Sequence, residues 1–205
     1  TTTASDLDNA DATPIIEGTA EAGSTVTLLI GQGESATSIA TTTADAITGA
    51  FSITAPTLAD NSYSLTVKAT DAAGNPSSAS SALDITIDTT EPNTPSIVTN
   101  ISVTTDNTPT IVISADTGDN VKLYKNIVSE STFLDSGVAN SAVAITTDPL
   151  EDGDYELIAI SEDEAGNPSA PSTALSFTVD SRAPEKPLIS VDYSITNESS
   201  PAIEG

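Results

Sequence analysis

The segment DNSYSLTVKATDAAGNP, residues 60–76, contains the two signals that decide the fold of this chain. From Tyr63 to Thr70 apolar and polar residues alternate, and the segment then ends in Asp-Ala-Ala-Gly-Asn-Pro. Alternation with a period of two is typical of a β-strand that buries one face. Gly and Asn accept positive φ and Pro ends strand pairing, so the closing residues predict a tight turn.

This segment occurs twice in the chain. Residues 152–168 read DGDYELIAISEDEAGNP, and 15 of 33 positions are identical when residues 60–92 are aligned with residues 152–184. The pentapeptide PIIEG at 14–18 returns as PAIEG at 201–205. A catalytic motif is rarely duplicated within one chain, whereas a structural module often is, so the repetition indicates tandem domains.

The repeat period also predicts where each domain begins and ends. We expect one unit at residues 1–92, a second at 93–184, and the beginning of a third at 185–205. The boundaries fall in the Pro-rich segments DTTEPNTP (88–95) and DSRAPEKP (180–187). Residues before proline favour extended backbone, so these joints are expected to be short and fairly stiff.

Short alternating segments fill the rest of each unit. Val26, Leu28 and Ile30 form one such apolar face, and Leu175, Phe177 and Val179 form another. Strand D is expected near residues 36–43 and 132–138, where the pattern is weakest. About seven short strands in ~90 residues predict an all-β fold: tandem immunoglobulin-like antiparallel β-sandwiches. The chain has no Cys, so these sandwiches contain no disulfides.

Charge and composition exclude several classes of function. With 5 Lys and Arg against 30 Asp and Glu, the net charge is −25. Such a chain lacks the basic surface that a nucleic acid or an anionic membrane requires, and it favours cations. The sequence has no run of about 20 apolar residues that would insert into a membrane.

Composition also argues against an enzyme. Without His or Cys, the chain has no Ser-His-Asp or Cys-His arrangement and no zinc-thiolate site. Paired carboxylates could hydrolyse a glycoside, but such a site needs aromatic subsites. Aromatic residues make up only 3% of the chain and Trp is absent, so we expect no catalytic activity.

Two features carry a resemblance to known proteins. Tyr63 and Tyr155 stand two residues before the apolar residues Leu65 and Leu157, which is similar to the tyrosine corner of immunoglobulin-like folds. Units of about 90 residues with Asp-x-Ala-Gly-Asn-Pro-Ser, followed by a last strand that ends in Asp, resemble bacterial Ig-like repeats. Such repeats form the stalks of giant adhesins that type I secretion exports to the bacterial surface.

That resemblance implies an extracellular location, cell adhesion and biofilm formation, and calcium ions bound near the joints. The expected partners are neighbouring repeats of the same chain, and other parts of the adhesin would contact a host or surface ligand. We expect a monomer that binds no nucleic acid and inserts into no membrane.

Strand order indicates which residues would bind the calcium. Alternate strands run in opposite directions, so the loop after strand F of one unit faces the end of strand G of the preceding unit. The carboxylates and amide predicted to converge at the joints are Asp60, Asp71, Asp88, Glu91, Asp116, Asp119, Asp163, Asn167 and Asp180, with Asp6, Asp8, Asp11 and Glu164 nearby. Calcium takes six to eight oxygen ligands and would relieve the repulsion among these acids.

Each of these residues also has a purely structural interpretation. Asp71 and Asp163 are good turn formers, because an Asp side chain bonds the backbone of its own loop. Asp88 and Asp180 could be solvated linker residues, and Asp60 sits in a turn. Glu91 is a weaker candidate because Ala183 occupies its position in the second unit.

The sequence therefore favours a structural role over a catalytic one. We expect stalk modules of a large bacterial surface adhesin, in which calcium at the joints stiffens the tandem array. The alternative is a module that binds a ligand such as a glycan through calcium at a loop pole.

Overall fold

The computed structural model describes residues 2–4 and 10–189 of the 205-residue chain, except the side chains of residues 2–4 and of Glu34. Within those ranges the chain forms strands and two short 3-10 helices, at Gly33–Ser35 and Glu130–Thr132, and no α-helix. No helix in this part of the chain is long and apolar enough to cross a lipid bilayer. The all-β prediction is confirmed.

The first unit is a sandwich of two antiparallel sheets. One sheet has the strand order β1-β2-β5, and the other has the order β4-β3-β6-β7. The bounds are β1 Thr2–Ala4, β2 Ile15–Thr19, β3 Thr25–Ile30, β4 Thr37–Thr43, β5 Ala50–Thr54, β6 Asn61–Thr70 and β7 Leu83–Ile87.

The second unit repeats this arrangement with one addition. Its sheets have the orders β13-β10-β8 and β12-β11-β14-β15-β9, and the short strand β9 pairs parallel with β15. The bounds are β8 Ser96–Ile97, β9 Val103–Thr104, β10 Thr110–Ser114, β11 Asn120–Lys125, β12 Phe133–Val138, β13 Ala142–Thr146, β14 Gly153–Glu162 and β15 Leu175–Val179.

Each unit has its own hydrophobic core between its two sheets. The alternating residues of the long strands supply it, and Leu65 in β6 and Leu157 in β14 are only 1% and 0% exposed. Burying one such side chain stabilises the fold by about 2 kcal/mol. The cores draw on separate residues, Ile16 to Ile87 in one and Ile111 to Val179 in the other.

Both units contain the expected tyrosine corner. The Tyr63 hydroxyl donates a hydrogen bond to the Ala59 carbonyl at 2.8 Å, and the Tyr155 hydroxyl donates one to the Glu151 carbonyl at 2.8 Å. These bonds fix the loop that precedes β6 or β14 against the start of the strand, which supports the immunoglobulin-like reading.

The segments expected to form strand D join the opposite sheet. β4 pairs with β3 and β12 pairs with β11, so both belong to the sheet that contains the long strands β6 and β14. The strand D assignment is therefore wrong. The connecting segments, residues 31–36 and 126–132, return the chain beside the preceding strand, so a hairpin results. Strand direction is unchanged, so the loops lie at the poles predicted for them.

Candidate functional site

Two turns of the second unit form the pole that faces the first unit. The turn between β10 and β11 is closed by a hydrogen bond from the Asp119 amide to the Asp116 carbonyl at 3.3 Å. The Asp119 carbonyl in turn accepts a bond from the Ala139 amide at 2.9 Å, which ties this turn to the one between β12 and β13. Asp116 and Asp119 are thereby held at the end of the sandwich.

The repeated Asp-x-Ala-Gly-Asn motif forms the next turn at this pole. One Asp163 carboxylate oxygen accepts the Asn167 amide N–H at 2.9 Å, and the other accepts the Asn167 side-chain N–H at 3.0 Å. Gly166 has φ of 99°, a conformation that glycine adopts without strain. Asp71 and Asn75 make the same two bonds in the first unit, at 2.8 Å each. Both aspartates therefore shape their own turns.

Two asparagines connect this pole to the end of the first unit. The Asn167 side chain donates a second hydrogen bond, at 2.8 Å, to the Asp88 carbonyl just after β7. Asn93, in the connecting segment, donates from its side chain to an Asp116 carboxylate oxygen at 2.9 Å. Asp88, Asp116 and Asp163 are thus linked through amide groups around one joint.

Asp119 is the unusual residue of the group. It is 6% exposed, and its Oδ2 has no hydrogen-bond partner, nor has the buried Oγ of Ser161. Burial raises the pKa of Asp119, and repulsion from Asp116 and Asp163 raises it further, while the nearby Ser161 hydroxyl opposes the rise. A buried carboxylate oxygen whose nearby donor is a single serine hydroxyl is poorly satisfied, so Asp119 is the best candidate for a ligand-binding residue at this pole.

The neighbouring carboxylate behaves differently. Burial is the largest influence on Asp163 and would raise its pKa, but the hydrogen bonds from Asn167, Gly166 and Ala165 together outweigh it and lower the pKa. Asp163 therefore stays ionised next to Asp119. The two neighbouring carboxylates therefore have pKa values shifted in opposite directions at the same pole.

Other predicted ligands have different roles. One Asp60 carboxylate oxygen accepts hydrogen bonds from the Thr89 amide and hydroxyl, and the other accepts one from the Thr90 hydroxyl. We call this set of bonds a clasp, because it holds the segment that follows β7. Asp152 makes the equivalent clasp with Ser181. The hydrogen bonds from Thr89 and Thr90 lower the pKa of Asp60. Asp60 thus fits its structural interpretation.

The remaining candidates are on the surface or at other joints. Glu91 and Glu164 are exposed, and Asp88 accepts a bond from the Thr90 amide at 3.1 Å. Asp71 belongs to the far pole of the first unit, and Asp180 follows β15, where it accepts a bond from the Arg182 amide. Asp11 bonds Thr13, while Asp6 and Asp8 lie outside the described residues.

In the described part of the chain, no three acidic side chains lie close enough together to hold a metal ion. A cation at the joint would therefore need neutral oxygens as well, and the structure supplies the Ser161 hydroxyl and the Asn167 side-chain carbonyl. Sequence reasoning missed Ser161 and Asn93. Ser161 was detectable in principle, because it interrupts the apolar face of β14 at a position where the first unit has Ala69.

Comparison with known sequences identifies one family of domains. The family described as bacterial Ig-like domain matches residues 1–89 and again residues 96–181. The two matches lie in the first and second sandwiches described above. Together they cover most of the chain.

Two curated proteins are similar in sequence. Exoglucanase B of Cellulomonas fimi is 35% identical in an alignment 183 residues long, which covers 78% of this chain and 16% of that protein. Chitinase A1 of Niallia circulans is 34% identical over 139 residues, which is 65% of this chain and 20% of that protein. The chain thus spans a fifth or less of the length of these relatives.

Among solved structures, the fibronectin(III)-like modules of Clostridium thermocellum CbhA are similar in fold. The TM-score is 0.58 at 14% identity, and the match covers 92% of this chain and 99% of that one. At this identity the likeness concerns the fold alone.

Proposed function

Because the chain belongs to the bacterial Ig-like domain family, we propose that it is a structural segment of an extracellular bacterial protein. Its two sandwiches act as rigid spacers, and a calcium ion at the joint between them restrains their relative motion. The observation that carries this proposal is Asp119 Oδ2, a buried carboxylate oxygen without a hydrogen bond, at the pole of the second unit that Asn167 connects to Asp88.

The site offers the ligand chemistry that calcium prefers. Carboxylates of Asp119 and Asp163 would provide the charge, and the Ser161 hydroxyl and Asn167 carbonyl would provide neutral oxygens. A bound calcium would neutralise the repulsion that raises the pKa of Asp119. It would also add a connection to the one that Asn167 already makes with Asp88.

Two settings for such a spacer are open. The first is the stalk of a surface adhesin exported by type I secretion, which the repeat motif and the net charge of −25 support. The second is a spacer inside a large polysaccharide-degrading enzyme, which the similarity to an exoglucanase and a chitinase supports. In either setting we assign this segment a structural role and no catalytic one.

Isothermal titration calorimetry of the whole chain with CaCl₂, after removal of metal by chelator, tests the proposal. We expect saturable binding heat that is lost in Asp119→Asn and kept in Asp148→Asn, which removes one charge from an exposed position. Equal heat in the two variants would show that calcium binds diffusely to the acidic surface, and the joint site would be rejected.

A further inference from the structure

The outer face of the second sandwich has two aromatic side chains that serve no core. Tyr124 in β11 and Phe133 in β12 pack edge to face, with ring centroids 5.7 Å apart and an interplanar angle of 68°. Phe133 is 44% exposed. The other described aromatic residues, Phe51, Tyr63, Tyr155 and Phe177, belong to the two cores or pack against them.

The first unit shows that the fold does not need these rings. Tyr124 pairs with Phe133 across the hairpin, and in the first unit Leu29 pairs with Ser38 at the matching position. The loop between β11 and β12 is also more apolar than its counterpart in the first unit. It carries Ile127 and Val128, 63% and 41% exposed, where the first unit has Gln32 and Gly33. The aromatic contact helps to pair the two strands, but the exposed apolar groups around it add nothing to the core, so this surface is suited to a ligand.

Hydrogen-bonding groups surround the rings. The groove has a volume of about 370 Å³ and is lined by Lys122, Tyr124, Val128, Ser129, Glu130 and Phe133. The hydroxyls of Tyr63 and Tyr155 are bonded to backbone carbonyls, whereas that of Tyr124 makes no hydrogen bond within the described part of the chain. The exposed aromatic surface of Phe133 thus lies beside the Tyr124 hydroxyl and the Glu130 carboxylate. This combination suits a ligand with one apolar face and with hydroxyl groups around its edge.

The charges of the groove restrict the ligand further. Lys122 forms an ion pair with Glu162, so its charge is already balanced. The net charge of −25 opposes an anionic ligand and opposes association with a second copy of the chain. A cation would be attracted to the whole acidic surface rather than to this groove, so a neutral ligand is the kind that the groove itself can select.

We propose that this groove, which we call the Tyr124–Phe133 groove, binds a neutral sugar ring. The C–H face of a pyranose stacks on the exposed ring of Phe133, because the aromatic face is negative and aliphatic C–H groups are weakly positive. The Tyr124 hydroxyl and the Glu130 carboxylate hydrogen-bond the sugar hydroxyls. The site is independent of the joint and of calcium. With one ring stacked, the expected dissociation constant is on the order of 1 mM.

Nuclear magnetic resonance of the ¹⁵N-labelled whole chain tests the proposal. The probes are cellohexaose, the hexamer of N-acetylglucosamine and maltohexaose, each titrated to 10 mM in chelator. We expect at least one of them to shift the amide signals of β11, β12 and the loop between them and to leave those of β3 and β4 unchanged. Binding should be equal at low and high salt, because the ligand is uncharged.

Variants separate stacking from other causes. Phe133→Ser installs the residue of the first unit and should weaken binding about fivefold to tenfold, and Tyr124→Phe should weaken it less. Val138→Thr, at an exposed position of the same strand, should have no effect, and an unchanged melting temperature would show that the fold is intact. If none of the sugars shifts these signals, or if Phe133→Ser binds as well as the parent chain, the proposal is wrong. The same conclusion follows if a basic peptide binds in a salt-dependent way while the sugars do not.

Discussion

Asp119 combines burial, a missing hydrogen bond and two like charges nearby. Most aspartates on this chain are exposed, and several have their pKa lowered by hydrogen bonds from threonine, serine or asparagine. Asp119 lies at the opposite extreme, because burial and the charges of Asp116 and Asp163 raise its pKa. A residue that destabilises the isolated chain at neutral pH is expected to be useful when something else is bound.

The substitution Asp119→Asn should have opposite effects with and without calcium. In chelator it removes a buried unpaired charge and should stabilise the second unit by roughly 1 kcal/mol. In CaCl₂ the parent chain should gain stability and the variant should not, because the variant lacks a charged ligand. Thermal unfolding in both buffers measures this. A variant that is less stable than the parent in chelator would contradict the assignment.

Acid should act in part through the hydrogen bonds that Asp60 and Asp152 accept from the segments after β7 and β15. Hydrogen bonds from Thr89 and Thr90 lower the pKa of Asp60, and those from Ser181 lower the pKa of Asp152. A folded-state pKa below the unfolded value gives stability that is present above about pH 4 and is lost as the pH falls through the folded pKa. The free energy of unfolding of Asp60→Asn, measured in urea, should therefore fall less between pH 5 and pH 2.5 than that of the parent chain. A pH profile identical to that of the parent would show that the clasp contributes nothing.

The Asp-x-Ala-Gly-Asn turn has the same internal bonds in both units but different surroundings. Asn167 is 5% exposed and reaches Asp88 of the preceding unit, whereas Asn75 is exposed. The turn thus forms from its own residues, and in the second unit its asparagine also bonds the preceding sandwich. Its position at the pole follows from the direction of β14, which ends where the first unit begins.

A pair of matched substitutions measures that second role. Asn167→Ala and Asn75→Ala each remove the side-chain hydrogen bond within one turn and keep the backbone one, but only the first also leaves the Asp88 carbonyl without its partner. We expect Asn167→Ala to cost about 1 kcal/mol more, since a buried acceptor is left unpaired. Urea unfolding, followed by amide signals of each unit, gives the two values. Equal losses would mean that the amide bond across the joint has no energetic effect.

For the molecule as a whole, the joint determines how two rigid cores move relative to one another. Each core is complete within its own unit, so the units are connected by the Pro-rich segment, the Asn167–Asp88 bond and the Asn93–Asp116 bond. Few contacts of this kind normally allow domain motion. A calcium ion shared at the joint would restrict it.

Small-angle X-ray scattering should detect that restriction. We expect the maximum dimension to be larger and the distance distribution narrower in CaCl₂ than in chelator, because the cation removes repulsion and fixes the angle between the units. Asp119→Asn should give the same curve in both buffers, while Asp148→Asn should behave as the parent does. A parent chain whose scattering does not change with calcium would argue against a stiffening role.

Local chemistry was sufficient to predict the sandwiches, the tyrosine corners and the repeated turns. A strand needs only alternation along a few residues, and Asp-x-Ala-Gly-Asn closes on itself, as the bonds of Asp71 and Asp163 show. Strand direction also predicted that the turn of Asp163 and Asn167 would face the end of β7, where Asn167 bonds Asp88. The sheet membership of β4 and β12 could not be predicted, because weak alternation in these strands gave no sign of which neighbour they would pair with.

The chemistry of the site depended on contacts between distant parts of the chain. Asp119 is buried because the turn at Ala139 packs on it, and its neighbour Ser161 comes from another strand. Asn167 meets Asp88 across 79 residues. Burial and electrostatic repulsion are sums over all neighbours in space, whereas a sequence pattern reports only neighbours along the chain. For that reason the acids could be located from the pattern, but which of them lacks a partner emerged only after folding.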